Sequence, residues 1–147
     1  MVVKTFRGQL ADGGQDRLSL HTNDGKTGYR IVKFQCIPGA PAAGNTESIT
    51  KIYRDIQTTI DALVNFSDNT ILAVNYYTDG ATSDRTGRQS IIFDNEIFNQ
   101  DVYITHSEIT TNEPINYYLE LEVIPLALDE ATVATLKDMR ANVIRLG

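Results

Sequence analysis

The chain has one cysteine, two histidines, four prolines and no tryptophan in 147 residues. A single cysteine excludes an intrachain disulfide, so the fold has to be held by an apolar core. His21 and His106 stand far apart, and no Gly-rich phosphate loop or metal-ligand spacing accompanies them. Nucleotide-binding and zinc-type chemistry are therefore without a signature. No run approaches the roughly 18 apolar residues of a membrane helix. Met1–Arg7 lacks the apolar region of a secretion signal, so neither a membrane span nor a cleaved leader is expected.

Positive charge is also scarce. Thirteen basic residues face nineteen acidic ones, for a net charge of −6. Residues 1–73 carry 8 basic and 7 acidic groups (net +1), and residues 74–147 carry 5 and 12 (net −7). Phosphate neutralisation supplies most non-specific affinity for nucleic acid, so a nucleic-acid partner is not expected. What remains is an ordinary globular composition, 41% apolar and 22% charged. A chain of this length forms one domain, residues 1–147, and buries roughly 68–70% of its unfolded surface.

The dominant pattern is a succession of short β-branched and aromatic runs separated by turn signals. Val2–Leu10 is followed by Asp12-Gly13-Gly14. Arg17–His21 alternates, with Leu18 and Leu20 facing in, and ends before Asn23-Asp24-Gly25. Tyr29–Ile37 leads into the Pro/Gly-rich surface loop Pro38–Asn45. Ile71–Tyr77, Gln89–Phe93, Asp101–Thr105 and Ile115–Val123 complete the series, with Thr78–Arg88 as a polar loop. Between them Ile49, Ile52, Tyr53, Ile56, Ile60 and Leu63 recur at helical spacing. The many β-branched residues there favour strands at Glu47–Arg54 and near Ala62–Phe66 instead. Strict alternation places Cys36 with Val32 and Phe34 on one strand face, as a small buried hydrophobe. At the C-terminus, good helix formers predict an amphipathic helix over 129–143. Asp129 caps it, and Val133, Leu136, Met139 or Arg140, and Val143 form its apolar stripe. The stripe packs on its own sheet or docks on a neighbouring subunit. The expected architecture is mainly β: an antiparallel β-sandwich, with a jelly-roll arrangement as one form it could take, and one C-terminal α-helix.

Few residues look like chemistry. Asp94, Glu96 and Asp101 sit among further oxygen-bearing side chains, as a calcium site requires, but not at EF-hand spacing; a polar turn is the preferred reading. His106 adjoins Ser107 and Glu108, yet a Ser-His-acid arrangement needs geometry that sequence adjacency does not supply. No cofactor, no metal and no catalytic residues are expected, and the protein is read as a non-enzyme. Tyrosines offer large area with a polar tip, which suits interfaces. Tyr76-Tyr77 and Tyr117-Tyr118 each put one ring on either face of a strand. With Arg85 and Arg88 of the polar loop they are the candidate contact residues.

The run from Ile92 to His106 resembles small virion-type proteins of marine tailed bacteriophages. Tyr29–Phe34, Tyr117–Glu122 and Ala131–Lys137 share the likeness, which spans roughly residues 29–140. The resemblance implies a structural component of the virion, such as a capsid decoration, knob, neck or tail accessory protein. It implies self-association as a homo-oligomer, binding to other virion proteins, and residence in the host cytoplasm before assembly. The alternative is a non-catalytic ligand- or carbohydrate-binding β-sandwich module. The absence of tryptophan counts against it, and the seven tyrosines keep it open.

Overall fold

The β-branched and aromatic runs build eight strands, with alternating burial in strands that have one face to solvent, such as β8, and near-continuous burial in β4; the good helix formers at the C-terminus build one helix. In order these are β1 (Val2–Leu10), β2 (Gln15–Leu18), β3 (Thr27–Pro38), β4 (Thr46–Tyr53), β5 (Ile71–Asp79), β6 (Thr86–Ile92), β7 (Val102–Glu108), β8 (Ile115–Pro125) and α1 (Leu128–Leu146). The computed structural model describes residues 1–41, 45–79, 86–93 and 95–146. All strand pairs are antiparallel. They form a three-stranded sheet, β1-β8-β3, facing a five-stranded sheet, β2-β7-β4-β5-β6.

This is the expected β-sandwich with its C-terminal helix. The nested pairs β1·β8, β2·β7 and β4·β5 follow jelly-roll connectivity. The departure is β6, which pairs with β5 and leaves the fourth nested pair, β3 with β6, without a ladder. The Ser90 hydroxyl of β6 still donates to the Phe34 carbonyl of β3 at 2.9 Å, so the two sheet edges meet on that side. On the other side the tight turn between β1 and β2 joins the sheets, with Gly13 at φ +76° as the Asp12-Gly13-Gly14 signal requires.

One core lies between the sheets. Leu10, Ile31, Phe34, Ile52, Leu72, Phe98, Ile104, Leu119 and Leu121 are all nearly inaccessible there. β3 reaches it only by breaking alternation. Ile31 pairs with Leu121 and Lys33 with Glu120, so Val32 is a bulge residue with no partner on β8. One extra residue shifts the pleat by one. Tyr29 and Ile31 before the bulge, and Phe34 and Cys36 after it, therefore all face inward. Val32 is only half-buried, so its expected place beside Phe34 and Cys36 is corrected.

Three further expectations change. Glu47–Arg54 is the strand β4, but no strand forms near Ala62–Phe66. Asp61, Asn65 and Asp68 each accept the amide two residues on, from Leu63, Ser67 and Thr70, and these side-chain turns hold the backbone away from a ladder. The second strand stops at Leu18; Leu20 is buried as expected, but its amide bonds the Asp101 carboxylate instead of a neighbouring strand. Thr78, Asp79 and Thr86–Arg88 belong to β5 and β6, and so are ladder residues where a loop was expected.

The helix is turned the other way round. Ala131, Ala134 and Asp138 are buried, whereas Val133 and Leu136 are 65% and 55% exposed. Glu130, not Asp129, closes the start of the helix, accepting the Ala127 amide at 3.3 Å. The side chains of Met139, Arg140 and Val143 lie outside the described residues.

Candidate functional site

The turned helix follows from one buried cation. Arg54, at the end of β4, is 3% exposed, and its guanidinium bonds both Asp138 of α1 and Glu96 of the β6–β7 connection. A guanidinium inside a protein needs carboxylate partners, so the helix face carrying Asp138 is drawn inward. Small Ala131 and Ala134 let that face approach Ile124 and Leu126 closely. Asn99, fully buried, ties the same face down by donating to Thr135 Oγ1 at 2.8 Å and to Gly25 O at 3.0 Å. Lys137 reaches Glu96 at 2.7 Å. Burial raises the Asp138 carboxyl above its ordinary value, against the pull of Arg54. Burial would also raise Glu96, but Lys137 and Arg54 outweigh it and lower that carboxyl.

With its polar contacts spent inward, the helix presents apolar side chains outward. Leu128, Val133 and Leu136 are exposed, and Val133 borders a cleft of about 340 Å³ with Ile97, Leu126, Asp129, Glu130 and Lys137. A second exposed apolar set, Ile56, Leu63, Val64 and Phe66, lies on the irregular 54–70 connection. It is anchored from beneath by the buried Lys51 ammonium, which donates to Leu63 O at 2.6 Å, and by Phe66 packed edge-on to Phe93. Sequence reasoning missed this set, because the 47–64 apolar spacing fits a buried element equally well.

Of the tyrosine candidates, Tyr117 is corrected to a core residue. It is 5% exposed, and its hydroxyl donates to Asp16 at 2.8 Å. Burial first, then the Asp16 carboxylate, push its hydroxyl pKa up. Tyr118 is the outward partner, 36% exposed, with its hydroxyl on Glu120 at 2.8 Å. Beside it, on the outer face of the three-stranded sheet, a groove of about 520 Å³ runs between Arg7, Gln35, Ile37 and Asn116. Tyr76 and Tyr77 are half-buried on β5. The Tyr76 hydroxyl donates to Glu47 at 3.2 Å, and the Arg88 guanidinium lies 5.9 Å from the Tyr77 ring centre. Arg85 and Asp94 lie outside the described residues.

The other two calcium candidates do not converge. Glu96 is held by Arg54 and Lys137. Asp101 accepts from Arg17 Nε at 2.7 Å, from His21 Nδ1 at 2.7 Å and from the amides of Leu20 and His21. Burial works against the Asp101 carboxylate, yet these bonds hold it well below the usual carboxylate range. Among the described residues no group of three or more acidic, histidine or cysteine side chains could hold a metal. The His21–Asp101 pair opens on a polar cleft of about 310 Å³ with Arg17, Arg54, Tyr103 and Asp138. Bonding of Nδ1 to a carboxylate fixes the imidazole orientation, as an acid–base pair requires. The only hydroxyl lining the cleft among the described residues is that of Tyr103, and both carboxylates are already taken by guanidinium groups. His106 is fully buried, with Nε2 at 2.9 Å from Glu113 O.

No family model, curated protein or solved structure matches this chain.

Proposed function

We propose that the protein is a structural component of a bacteriophage virion, acting by self-association and by binding neighbouring subunits. The observation that carries this reading is the outward apolar side of α1. Leu128, Val133 and Leu136 stand in water while alanine, threonine and aspartate take the buried side. Exposed apolar sets of this kind mark surfaces that another protein covers. The phage resemblance of residues 29–140 points the same way, and a jelly-roll sandwich is an architecture that capsid domains use. A repeated subunit needs a stiff scaffold and self-complementary surface rather than a reactive centre.

The test is mass measurement in solution by light scattering, together with proteomics of purified particles. The wild-type chain is expected to oligomerise, and Val133→Asp with Leu136→Asp to leave a folded monomer. A wild-type chain that is monomeric at all accessible concentrations and absent from particles removes the proposal.

A further inference from the structure

We infer that the groove on the outer face of the β1-β8-β3 sheet binds an acidic saccharide, a sugar bearing a carboxylate or sulfate. The site is separate from the helix surface and does not depend on the assembly reading.

Strand register builds it. Arg7, Tyr118 and Gln35 are cross-strand partners in one row, and Gln9, Asn116 and Ile37 form the next. Neighbouring strands lie about 4.8 Å apart, and same-face residues along a strand about 7 Å apart, so six outward side chains share one shallow patch. Gly8, whose missing side chain leaves room for the Tyr117 ring, forms part of the floor with that ring. The groove holds about 520 Å³, within the range of small-molecule sites.

The chemistry of the lining then selects the ligand. Tyr118 offers an exposed aromatic face, and its hydroxyl bond to Glu120 holds the ring in place. Such a ring suits the C–H face of a pyranose. Gln35 and Asn116 supply amide donors and acceptors of the kind that sugar hydroxyls need. Gln9 Nε2 donates to Asn116 Oδ1 at 3.1 Å, so the oxygen of this groove-lining amide is engaged and its nitrogen is the group left to donate. Arg7 decides the charge. It has no ion-pair partner among the described residues, and no carboxylate lines the groove. On a chain of net charge −6, an unopposed guanidinium beside an aromatic ring and two amides complements an anionic sugar. Guanidinium binds carboxylate and sulfate in a two-pronged fashion that a neutral hydroxyl cannot match. Two acids adjoin the lining: Glu120 is occupied by the Tyr118 hydroxyl and faces Lys33 at 3.9 Å, and Asp16 accepts from the inward Tyr117 hydroxyl at 2.8 Å.

The test is a titration of the ¹⁵N-labelled protein, followed by amide chemical shifts, with a short polyuronate oligomer. A neutral oligomer of the same length serves as control at matched ionic strength. Shifts confined to β1, β3 and β8 are expected with the polyuronate. Arg7→Gln weakens binding by about tenfold, the loss of one charge-assisted pair. Tyr118→Ala weakens it by a similar factor, while Tyr118→Phe, which keeps the ring but loses its bond to Glu120, weakens it less than Tyr118→Ala does. Arg88→Gln, on the opposite sheet, leaves it unchanged. No shift at millimolar polyuronate overturns the inference. So does equal affinity for the neutral oligomer, or equal sensitivity to Arg88→Gln.

Discussion

Gly8 of β1 sits directly opposite Tyr117 of β8, and a methyl group at Gly8 would lie 2.6 Å from the Tyr117 hydroxyl oxygen. The glycine therefore exists to admit the ring, and the ring in turn bonds Asp16 of the other sheet.

Gly8→Ala is accordingly expected to destabilise the fold by about 1–3 kcal/mol, the cost of overpacking a filled site. Tyr117→Phe loses one bond to Asp16, worth about 1 kcal/mol. In the double variant the two costs should fall short of additive, because the hydroxyl is the nearest atom to the new methyl. Urea denaturation of all four chains measures this. Strict additivity would show that the ring carbons, 2.8 and 2.9 Å from the new methyl, set the cost of Gly8→Ala and the hydroxyl does not.

The Arg54–Asp138 pair gives a second prediction. Both residues are nearly inaccessible, so Arg54→Ala strands the Asp138 carboxylate, whereas Asp138→Ala leaves the guanidinium with Glu96 as its carboxylate partner. Arg54→Ala is expected to cost about 3–5 kcal/mol and Asp138→Ala, which keeps the Glu96 bond, less than that but more than about 1 kcal/mol; an apolar replacement of both, Arg54→Met with Asp138→Leu, should cost less than Arg54→Ala alone. A double-mutant cycle in urea decides it. Losses below about 1 kcal/mol for either single variant would mean that α1 is not anchored there.

Acid stability follows from the carboxylates. Asp101, Glu96 and Glu108 are held below their ordinary values in the folded chain, Glu108 by Ser48 and the amides of Glu47 and Thr110 against the opposing effect of burial. A carboxyl that binds protons more weakly when folded contributes stability that is full above the unfolded value. That contribution is lost as the pH falls below about 4 towards the folded value. Asp138 is shifted the other way, so its share of stability is recovered on acidification. Asp24 is lowered as well, by the Lys26 amide, and four lowered carboxylates against one raised predict net loss of stability below about pH 4. Asp101→Asn should make that loss shallower. Thermal melts across the acidic range check both statements, and an unchanged slope in Asp101→Asn would contradict the second.

Cys36 is fully buried, and burial pushes its thiol up to about 12, against the smaller effect of Thr50. The thiolate is the reactive form. A disulfide reagent at mildly alkaline pH should therefore fail to label the native chain and should label it fully in denaturant. Prompt labelling without denaturant would place Cys36 at the surface.

Much of the fold was legible because strands take β-branched and aromatic runs, alternating where one face meets solvent as in β8, and turns need residues that tolerate their backbone angles. Val2–Leu10, with Asp12-Gly13-Gly14 after it, reads directly as a strand and a turn. The misreadings share a cause, which is competition by a contact distant in sequence. Val32 departs from alternation because β3 has to serve Tyr29 and Phe34 on one face. Ala62–Phe66 has strand composition, but local Asx turns win because no neighbouring strand is present to satisfy its backbone. Alternation alone put one ring of Tyr117-Tyr118 outward without saying which; that it is Tyr118, and that Arg7, Gln35 and Asn116 of three strands join it, came from the fold.

By itself the amino-acid sequence determined the class of object: a β-sandwich held by apolar packing without disulfides, acidic in its second half, closed by a helix. Those properties depend on composition and local periodicity, which a chain carries wherever it folds. The tertiary structure alone decided which side of that helix faces water. An isolated amphipathic helix is expected to bury Val133 and Leu136. Arg54, about eighty residues earlier, reverses the choice, because its buried guanidinium draws in the Asp138 carboxylate, and α1 offers that carboxylate with Val133 and Leu136 turned to solvent.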